Sequence, residues 1–458
     1  MIRILAIIFF SFSSIIFAKD TVPQSELEIK LSFVPLVKQA APAVVNIYAK
    51  RIIEERRSPF SRDPFFRDFF RNFGHMQPRV QNSLGSGVIL SANGYVVSNY
   101  HVVGGATDIR VVLHDGREIS GNVILSDEES DLAVLKLNTD EMLPHLNLRK
   151  SDTVEVGELV LAIGNPFGVG QTVTNGIISG LARTGIASGS AKGYFLQTDA
   201  PINPGNSGGA LIDISGSLVG VNTSILSRSG GSNGIGFAIP ADLVGQFLVQ
   251  AKAGRSNFIR PWAGMRGQPI TFEMAASLNL PAMSGMIVSE IHDLSPFSKV
   301  GIRVGDIITK VDGLDINSPA EMLYRMSVVG IGTTVEVSYL SKGTLKSSKI
   351  ELVEIPNVDA RQVTLGPEFI FKDLQISELT PELQSRFGLS FSSKGLIILD
   401  PGRIASRLSL RKGDVLREIN RKPIDTIEDA VSAISSIKSS GSITIIRSGR
   451  RVSLRFRF

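Results

Sequence analysis

The sequence predicts a mainly-β chain made of several domains, and three observations carry that reading. Short β-branched runs alternate with Asn-Gly, Asp-Gly and Gly-Asn-Pro turns over residues 85–239. The 458 residues include 44 glycines and only 7% aromatics, the balance of a chain with many tight turns. A strand-rich segment also recurs once, about 110 residues further on. The length suits two to four domains of about 100–200 residues. With 43% hydrophobic and 20% charged residues, the chain can build cores.

Taken in order, residues 1–18 read as a secretory leader. Arg3 precedes an apolar run from Ile4 to Phe17 broken only by serines, and Ala18 stands before Lys19 and Asp20. Ile16 is larger than the residue preferred near a cleavage site. An uncleaved anchor is the alternative, but the run is short for a span of about 20 residues. The mature chain is therefore expected to be soluble and exported. Residues 27–50 give a polar helical stretch and then Pro42-Ala-Val-Val-Asn-Ile-Tyr48, a strand signal. Residues 51–82 break the pattern, with Phe60, Phe65, Phe66, Phe69, Phe70 and Phe73 among arginines. This is either a local amphipathic turn or a sticky regulatory loop.

Strands are expected at 86–90, 94–97, 109–113, 132–137 and 159–163, in the rhythm of an antiparallel barrel or sandwich. A helix and a linker close the unit at 241–256. Two tandem repeats follow. Ser284-Gly-Met-Ile-Val-Ser289 and Gly301-Ile-Arg-Val-Gly-Asp-Ile-Ile-Thr-Lys-Val-Asp312 return as Lys394-Gly-Leu-Ile-Ile-Leu399 and Ser409-Leu-Arg-Lys-Gly-Asp-Val-Leu-Arg-Glu-Ile-Asn420. Each copy continues to a short helix (319–326, 426–434) and two strands. Residues 356–366 read as the linker between them. The domain boundaries so drawn are 1–18, 27–255, 257–355 and 367–458.

The absence of cysteine excludes a disulfide framework, a thiol nucleophile, a zinc–cysteine site and a thiol-ligated iron–sulfur cluster. The net charge is only +5, from 48 Lys and Arg against 43 Asp and Glu, a weak argument for nucleic acid, and none is expected as a partner. At most it suits weak contact with an anionic membrane. No metal cluster, phosphate loop or cofactor motif is present, so no metal and no cofactor are expected.

The chemistry sits in Thr198-Asp-Ala-Pro-Ile-Asn-Pro-Gly-Asn-Ser-Gly-Gly-Ala-Leu211. Three glycines surround Ser207, and a nucleophilic serine needs a sharp turn that can aim N–H groups at an oxyanion. It also needs a base. Of five histidines, only His101 follows a strand and a polar step (Ser98-Asn-Tyr100) into Val102-Val103. His75, His114, His145 and His292 lie in loops, a hairpin turn or the first repeat. A carboxylate must then fix the tautomer of the base. Asp131 abuts the apolar strand 132–137, whereas Asp127, Glu128 and Glu129 read as solvated turn acids. The order His101, Asp131, Ser207, at separations of 30 and 76 residues, suits a two-barrel serine protease. Gly205-x-Ser207-x-Gly209 also fits the α/β-hydrolase pattern, but chain order and the lack of βαβ units decide against that fold.

On these residues the chain resembles the HtrA (Do-like, DegP/DegQ-type) family of periplasmic serine proteases. The resemblance extends over Ser86-Gly-Val-Ile89, Asn99-Tyr-His-Val-Val103, Ser130-Asp-Leu-Ala-Val-Leu-Lys136, Ala162-Ile-Gly-Asn-Pro-Phe-Gly168, Gly176-Ile-Ile-Ser179, the 197–211 segment, Gly220-Val-Asn-Thr223 and Gly234-Ile-Gly-Phe-Ala-Ile-Pro240. It implies a chymotrypsin-like double β-barrel protease domain followed by two PDZ domains, and trimers or multiples of them. It implies His101, Asp131 and Ser207 as the triad, and the N–H groups of Gly205 and Ser207 as the oxyanion hole. Ile202, Asn206, Thr223, Ser224, Ile225, Leu226 and Ser227 would bind substrate in an aliphatic pocket without an acid. Arg183 matches a regulatory-loop arginine, and residues 60–73 match a loop that inserts into a neighbouring active site. Ala263, Gly264 and Met265, with Trp262 before them and Arg260 upstream, match the carboxylate loop of a peptide-binding module. In the second copy, Asp373 replaces that glycine, and its charge would repel a peptide terminus. The first module is thus expected to bind peptides and the second to be structural. Tyr100 and Pro201 depart from the family pattern without touching the triad. The implied activity is ATP-independent endoproteolysis of unfolded envelope proteins. The alternative is a protease-fold chaperone or scaffold whose main role is peptide binding.

Overall fold

The computed structural model describes residues 33–52, 80–165, 170–184, 193–225, 232–277 and 285–457. The leader, the Phe-rich stretch 60–73 and His75 lie outside the described residues.

Two closed barrels come first. One is built from β1 (Val44–Ile52), β2 (Val80–Ile89), β3 (Tyr95–Ser98), β4 (Asp108–Val112), β5 (Glu118–Asp127) and β6 (Leu132–Leu137), in the order β1-β2-β3-β6-β5-β4. The other uses β7 (Leu159–Gly164), β8 (Thr172–Thr184), β9 (Tyr194–Thr198), β10 (Ala210–Asp213), β11 (Leu218–Ile225) and β12 (Gly236–Pro240). Read from β7, its order β7-β8-β9-β12-β11-β10 repeats the first, so one topology is used twice.

Strand patterning explains how the barrels pack. On β4, Ile109 and Val111 are buried while Asp108 and Arg110 are exposed, the alternation of a strand with one wet face. The run Leu132–Leu137 is almost wholly buried because both its faces are covered. Ala133, Leu135 and Leu137 fill the first barrel. Leu132 and Val134 turn outward into a cluster shared with Leu161, Ile163 and Phe237 of the second. Each such side chain contributes about 1.5–3 kcal/mol on full burial. The N-terminus of β6, with Asp131 just before it, is thereby held at the seam between barrels.

Helix α1 (Val34–Ala40) leads into β1, and α2 (Tyr100–Val103) is a single turn after β3. Helix α3 (Ala241–Lys252) closes the unit, burying Leu243, Val244, Phe247 and Ala251, with Phe247 stacked 4.0 Å from Phe258.

The first repeat comprises β13 (Met265–Pro269), α4 (Phe272–Ser277), β14 (Met286–Ile291), α5 (Pro296–Lys299), β15 (Ile307–Val311), β16 (Leu314–Asp315), α6 (Pro319–Val329), β17 (Thr334–Ser341) and β18 (Thr344–Glu351). Its sheet runs β13-β14-β15-β17-β18, with β16 on β15. It rests on the second barrel through α6. Tyr324 stacks on Tyr194 at 4.0 Å, and Arg325 pairs with Asp152. Burial pushes the Tyr324 phenol far above its ordinary range, so it stays neutral.

The second repeat comprises β19 (Gln362–Thr364), β20 (Gln375–Glu378), α7 (Pro381–Arg386), β21 (Leu396–Asp400), α8 (Gly402–Arg407), β22 (Val415–Ile419), β23 (Lys422–Pro423), α9 (Ile427–Ser435), β24 (Ser440–Arg447) and β25 (Arg450–Arg457). Its sheet has the same order with one strand added, β19 outside β20. β19 lies within the stretch read as linker. Three polar-flanked residues carry too little pattern to announce a strand.

Candidate active site

Asp131 is the keystone of the polar seam. It takes a left-handed conformation, φ 55°, which costs a non-glycine residue about 1–3 kcal/mol and which Asp tolerates better than most. Its carbonyl accepts from the Tyr100 N–H at 3.1 Å and from Asn99 Nδ2 at 2.9 Å. Its carboxylate accepts from His101 twice, from the main-chain N–H at 3.0 Å and from Nδ1 at 2.8 Å. Thr223 Oγ1 also donates to it, at 2.6 Å. With Nδ1 donating to the carboxylate, the neutral ring presents its lone pair at Nε2. Both side chains are well covered, 10% and 15% exposed. Beside them, burial raises the pKa of the Tyr100 phenol, and the charges of Glu128 and Asp127 add to this against an opposing effect from Arg51.

The Ser207 turn is built by glycines in close quarters. Gly205 and Gly208 take φ 99° and 82°. A Cβ on Gly208 would stand 2.1 Å from the Ser86 carbonyl oxygen, and one on Gly209 would stand 2.3 Å from that of Ile163. The N–H groups of Asn206, Gly208 and Gly209 donate to Asn203, Asn222 and Asn206. Those of Gly205 and Ser207 meet no acceptor among the described residues. Ser86, from β2, locks this turn onto the first barrel. Its N–H donates to the Ser207 carbonyl at 2.8 Å and its hydroxyl to that of Gly205 at 2.6 Å. The Ser86 hydroxyl also accepts from the Asn165 N–H at 2.9 Å.

Thr223 joins the two halves. Its hydroxyl holds Asp131, while its carbonyl accepts from Ser207 Oγ at 3.1 Å. The sequence reading placed Thr223 in the pocket wall. It is 3% exposed and its hydroxyl is spent on Asp131, so it supports the polar seam instead. Ser86 and Thr223 are the residues whose roles sequence reasoning missed. The family stretch Ser86-Gly-Val-Ile89 was the only signal for the first.

Ile202 is 2% exposed and packs with half-buried Leu181 and Ile225 in the core of the second barrel. Asn206 is buried on Gly164. Ser224 is half-buried, and its hydroxyl has no partner among the described residues. Leu226 and Ser227 lie outside the described residues, and of Arg183 only the backbone, within β8, is described. No cluster of metal-ligating side chains occurs among the described residues.

Two charges depart from expectation. Asp127 is not solvated, being 15% exposed and bonded to Arg260 Nη2 at 2.5 Å. Arg260 also donates to Ser130 Oγ at 2.6 Å, so it faces the turn before Asp131 and not a peptide carboxylate. Sequence separation hid this pair. In the loop that follows, Gly264 takes φ 59°, and a Cβ there would stand 2.7 Å from Trp262. The Gly264 carbonyl accepts from the His292 N–H at 2.7 Å and that of Ala263 from Ser295 Oγ at 2.6 Å. Met265 opens β13, whose outer edge carries no strand among the described residues.

Known families and proteins resemble this chain on both counts. The trypsin-like peptidase domain matches residues 85–221 and the PDZ domain matches residues 269–352. A probable periplasmic serine protease do/HhoA-like from Haemophilus influenzae is 35% identical over 447 residues, covering 94% of this chain and 92% of that protein. The chain belongs to the HtrA family of serine proteases. Among its other relatives is the periplasmic pH-dependent serine endoprotease DegQ of Escherichia coli, 35% identical over 431 residues, covering 93% and 91%. Two solved structures of one HtrA-type protease match. AlgW with a tripeptide gives a TM-score of 0.54 at 38% identity, covering 71% of this chain and 98% of that one. AlgW with a decapeptide gives 0.52 at 40% identity, covering 72% and 100%. The present HtrA-type chain is thus a serine endopeptidase with a chymotrypsin-like double barrel and a PDZ domain.

Proposed function

We propose that this HtrA-type protease hydrolyses unfolded or misfolded polypeptides in the periplasm, without ATP, through an acyl-enzyme on Ser207. The observation that supports this most is the linked set of hydrogen bonds from His101 to Asp131, from Thr223 to Asp131 and from Ser207 to the Thr223 carbonyl. Ser207 Oγ attacks the substrate carbonyl while its proton passes to His101 Nε2. Asp131 stabilises the imidazolium, and the N–H groups of Gly205 and Ser207 receive the oxyanion. The proton then goes to the leaving amine, and a water activated by His101 releases the acyl group. Every proton moves through His101, and no step draws on a nucleotide.

Ile202 and Ile225 suit an apolar side chain of small or medium size next to the scissile bond. Such residues are exposed when a protein unfolds. The first repeat captures exposed C-termini by strand addition to β13, with the Ala263-Gly264-Met265 loop receiving the carboxylate. Residues 1–18 direct export, the second repeat is a further module of the PDZ type, and the working assembly is a trimer or a multiple of one.

Digestion of reduced, unfolded casein with mapping of the cut sites tests this reading. We expect ATP-independent cleavage after Val, Ala, Ile or Leu, and loss of cleavage with retained casein binding in Ser207→Ala. Cleavage after Lys or Arg, or the same digestion by Ser207→Ala, would refute it.

A further inference from the structure

The second repeat carries a strand with no counterpart among the described residues of the first. β20 corresponds to β13: each leads its sheet, each follows a left-handed loop residue, and each shifts register once against the next strand. The loop residues are Gly264 at φ 59° and Asp373 at φ 67°. The outer edge of β13 carries no strand among the described residues, but that of β20 is filled. β19 pairs with it antiparallel, Gln362 opposite Ser377, Val363 opposite Ile376 and Thr364 opposite Gln375. The ladder continues at both ends. Glu378 N–H donates to the Arg361 carbonyl at 3.0 Å, and Leu365 N–H donates to the Leu374 carbonyl at 3.0 Å.

The side chains follow the same logic. Leu365 is 2% exposed, and Val363 packs on the cluster that holds Ile427 and Ala430 of α9. Gln362 and Thr364 are exposed, and Arg361 pairs with Glu428 at the start of α9. Residues 361–365 therefore lie as a peptide lies in strand addition, alternate side chains inward. The Asp373 N–H, at the loop position where a peptide carboxylate would be received, donates at 2.9 Å to the main-chain carbonyl of Leu365. The chain then runs on through Gly366 and Pro367, so the acceptor is a neutral amide carbonyl.

We propose that the peptide groove of the second repeat is occupied in cis by residues 361–365, and that the groove selects an internal extended segment with a basic residue, then Val and Leu at alternate positions, over a free C-terminus. The Asp373 carboxylate is compatible with a neutral carbonyl and unfavourable to a terminal carboxylate. A tethered ligand also acts at an effective concentration of about millimolar, so the groove opens to a client only when 361–365 is displaced. This inference rests on reading the second repeat as a strand-accepting module and not on the proteolytic mechanism.

The test uses the full chain carrying Ser207→Ala, so that peptides survive. By hydrogen exchange, the amides of Val363 and Leu365, and of Ile376 and Glu378 opposite them, should be protected at least about 100-fold over those of 357–360. Exchange of Val363 and Leu365 at the rate of 357–360 would overturn the proposal without any variant of the groove. Arg361→Glu combined with Val363→Ser and Leu365→Ser should speed exchange at 374–378 at least about tenfold. It should also bind an end-capped peptide of residues 359–367 at least about tenfold more tightly than the parent chain does. The same peptide ended at Leu365 with a free carboxylate should bind more weakly. Equal binding to parent and variant, or tighter binding of the free carboxylate, would contradict the assignment. Should the triple variant fail to fold, Arg361→Glu alone, and its reversal by Glu428→Arg, gives the same exchange readout at smaller amplitude. A peptide with a free apolar C-terminus that binds neither repeat would instead count against the strand-accepting reading of both.

Discussion

In the first barrel, His101 and Asp131 are placed by side-chain hydrogen bonds, and the atoms that act are the atoms that hold. In the second barrel, Ser207 is placed by main-chain contacts that only glycines allow, with Gly208 and Gly209 pressed against the carbonyls of Ser86 and Ile163. The same strand order thus supports two kinds of scaffold. One should lose rate when a side chain changes yet keep its fold. The other should lose its fold when a single methyl group is added.

The largest expected effect is on the first side. Asp131→Asn keeps the shape of the side chain but favours the wrong tautomer of His101, and should lower kcat by about a thousand- to ten-thousand-fold. Its melting temperature should stay close to that of the parent, and a large fall would break the contrast. Gly208→Ala is the counterpart. Its Cβ would collide with the Ser86 carbonyl in a left-handed conformation, so urea unfolding should report a loss of about 3–5 kcal/mol. A stable Gly208→Ala with normal turnover would remove the steric account of the turn.

Thr223→Val sharpens the comparison, because this residue serves both halves through different atoms. It removes the donor to Asp131 but keeps the carbonyl that receives Ser207. A fall of about 10–100-fold in kcat/KM is expected, mostly in kcat, with recovery in Thr223→Ser. The smallest effect should come from Ser86→Ala, which leaves the Gly205 carbonyl without its donor. About 1–2 kcal/mol of stability should be lost in thermal or urea melts, with only a several-fold drop in rate.

The parts legible in the sequence were those with a strong local pattern. The run Leu132–Leu137, the glycines around Ser207 and the repeated segments each signal their structure within about ten residues. The strands from Glu118 to Asp127 and from Thr172 to Thr184 were not foreseen, because polar and small residues with irregular register blur their alternation. The role of Thr223 depends on a partner 92 positions away, and that of Arg260 on one 133 away. No single-sequence pattern encodes such pairs. The strand Gln362–Thr364 was hidden for a different reason. It is short and lies among Pro356, Asn357 and Gly366, which read as linker. Only the pairing register reveals it.

The most direct test of the account is reaction of the intact protein with an organofluorophosphonate, followed by peptide mass spectrometry. One adduct per chain is expected, on Ser207, formed in step with loss of casein hydrolysis and far more slowly in Asp131→Asn. An adduct on another serine, or full activity with Ser207 modified, would contradict it.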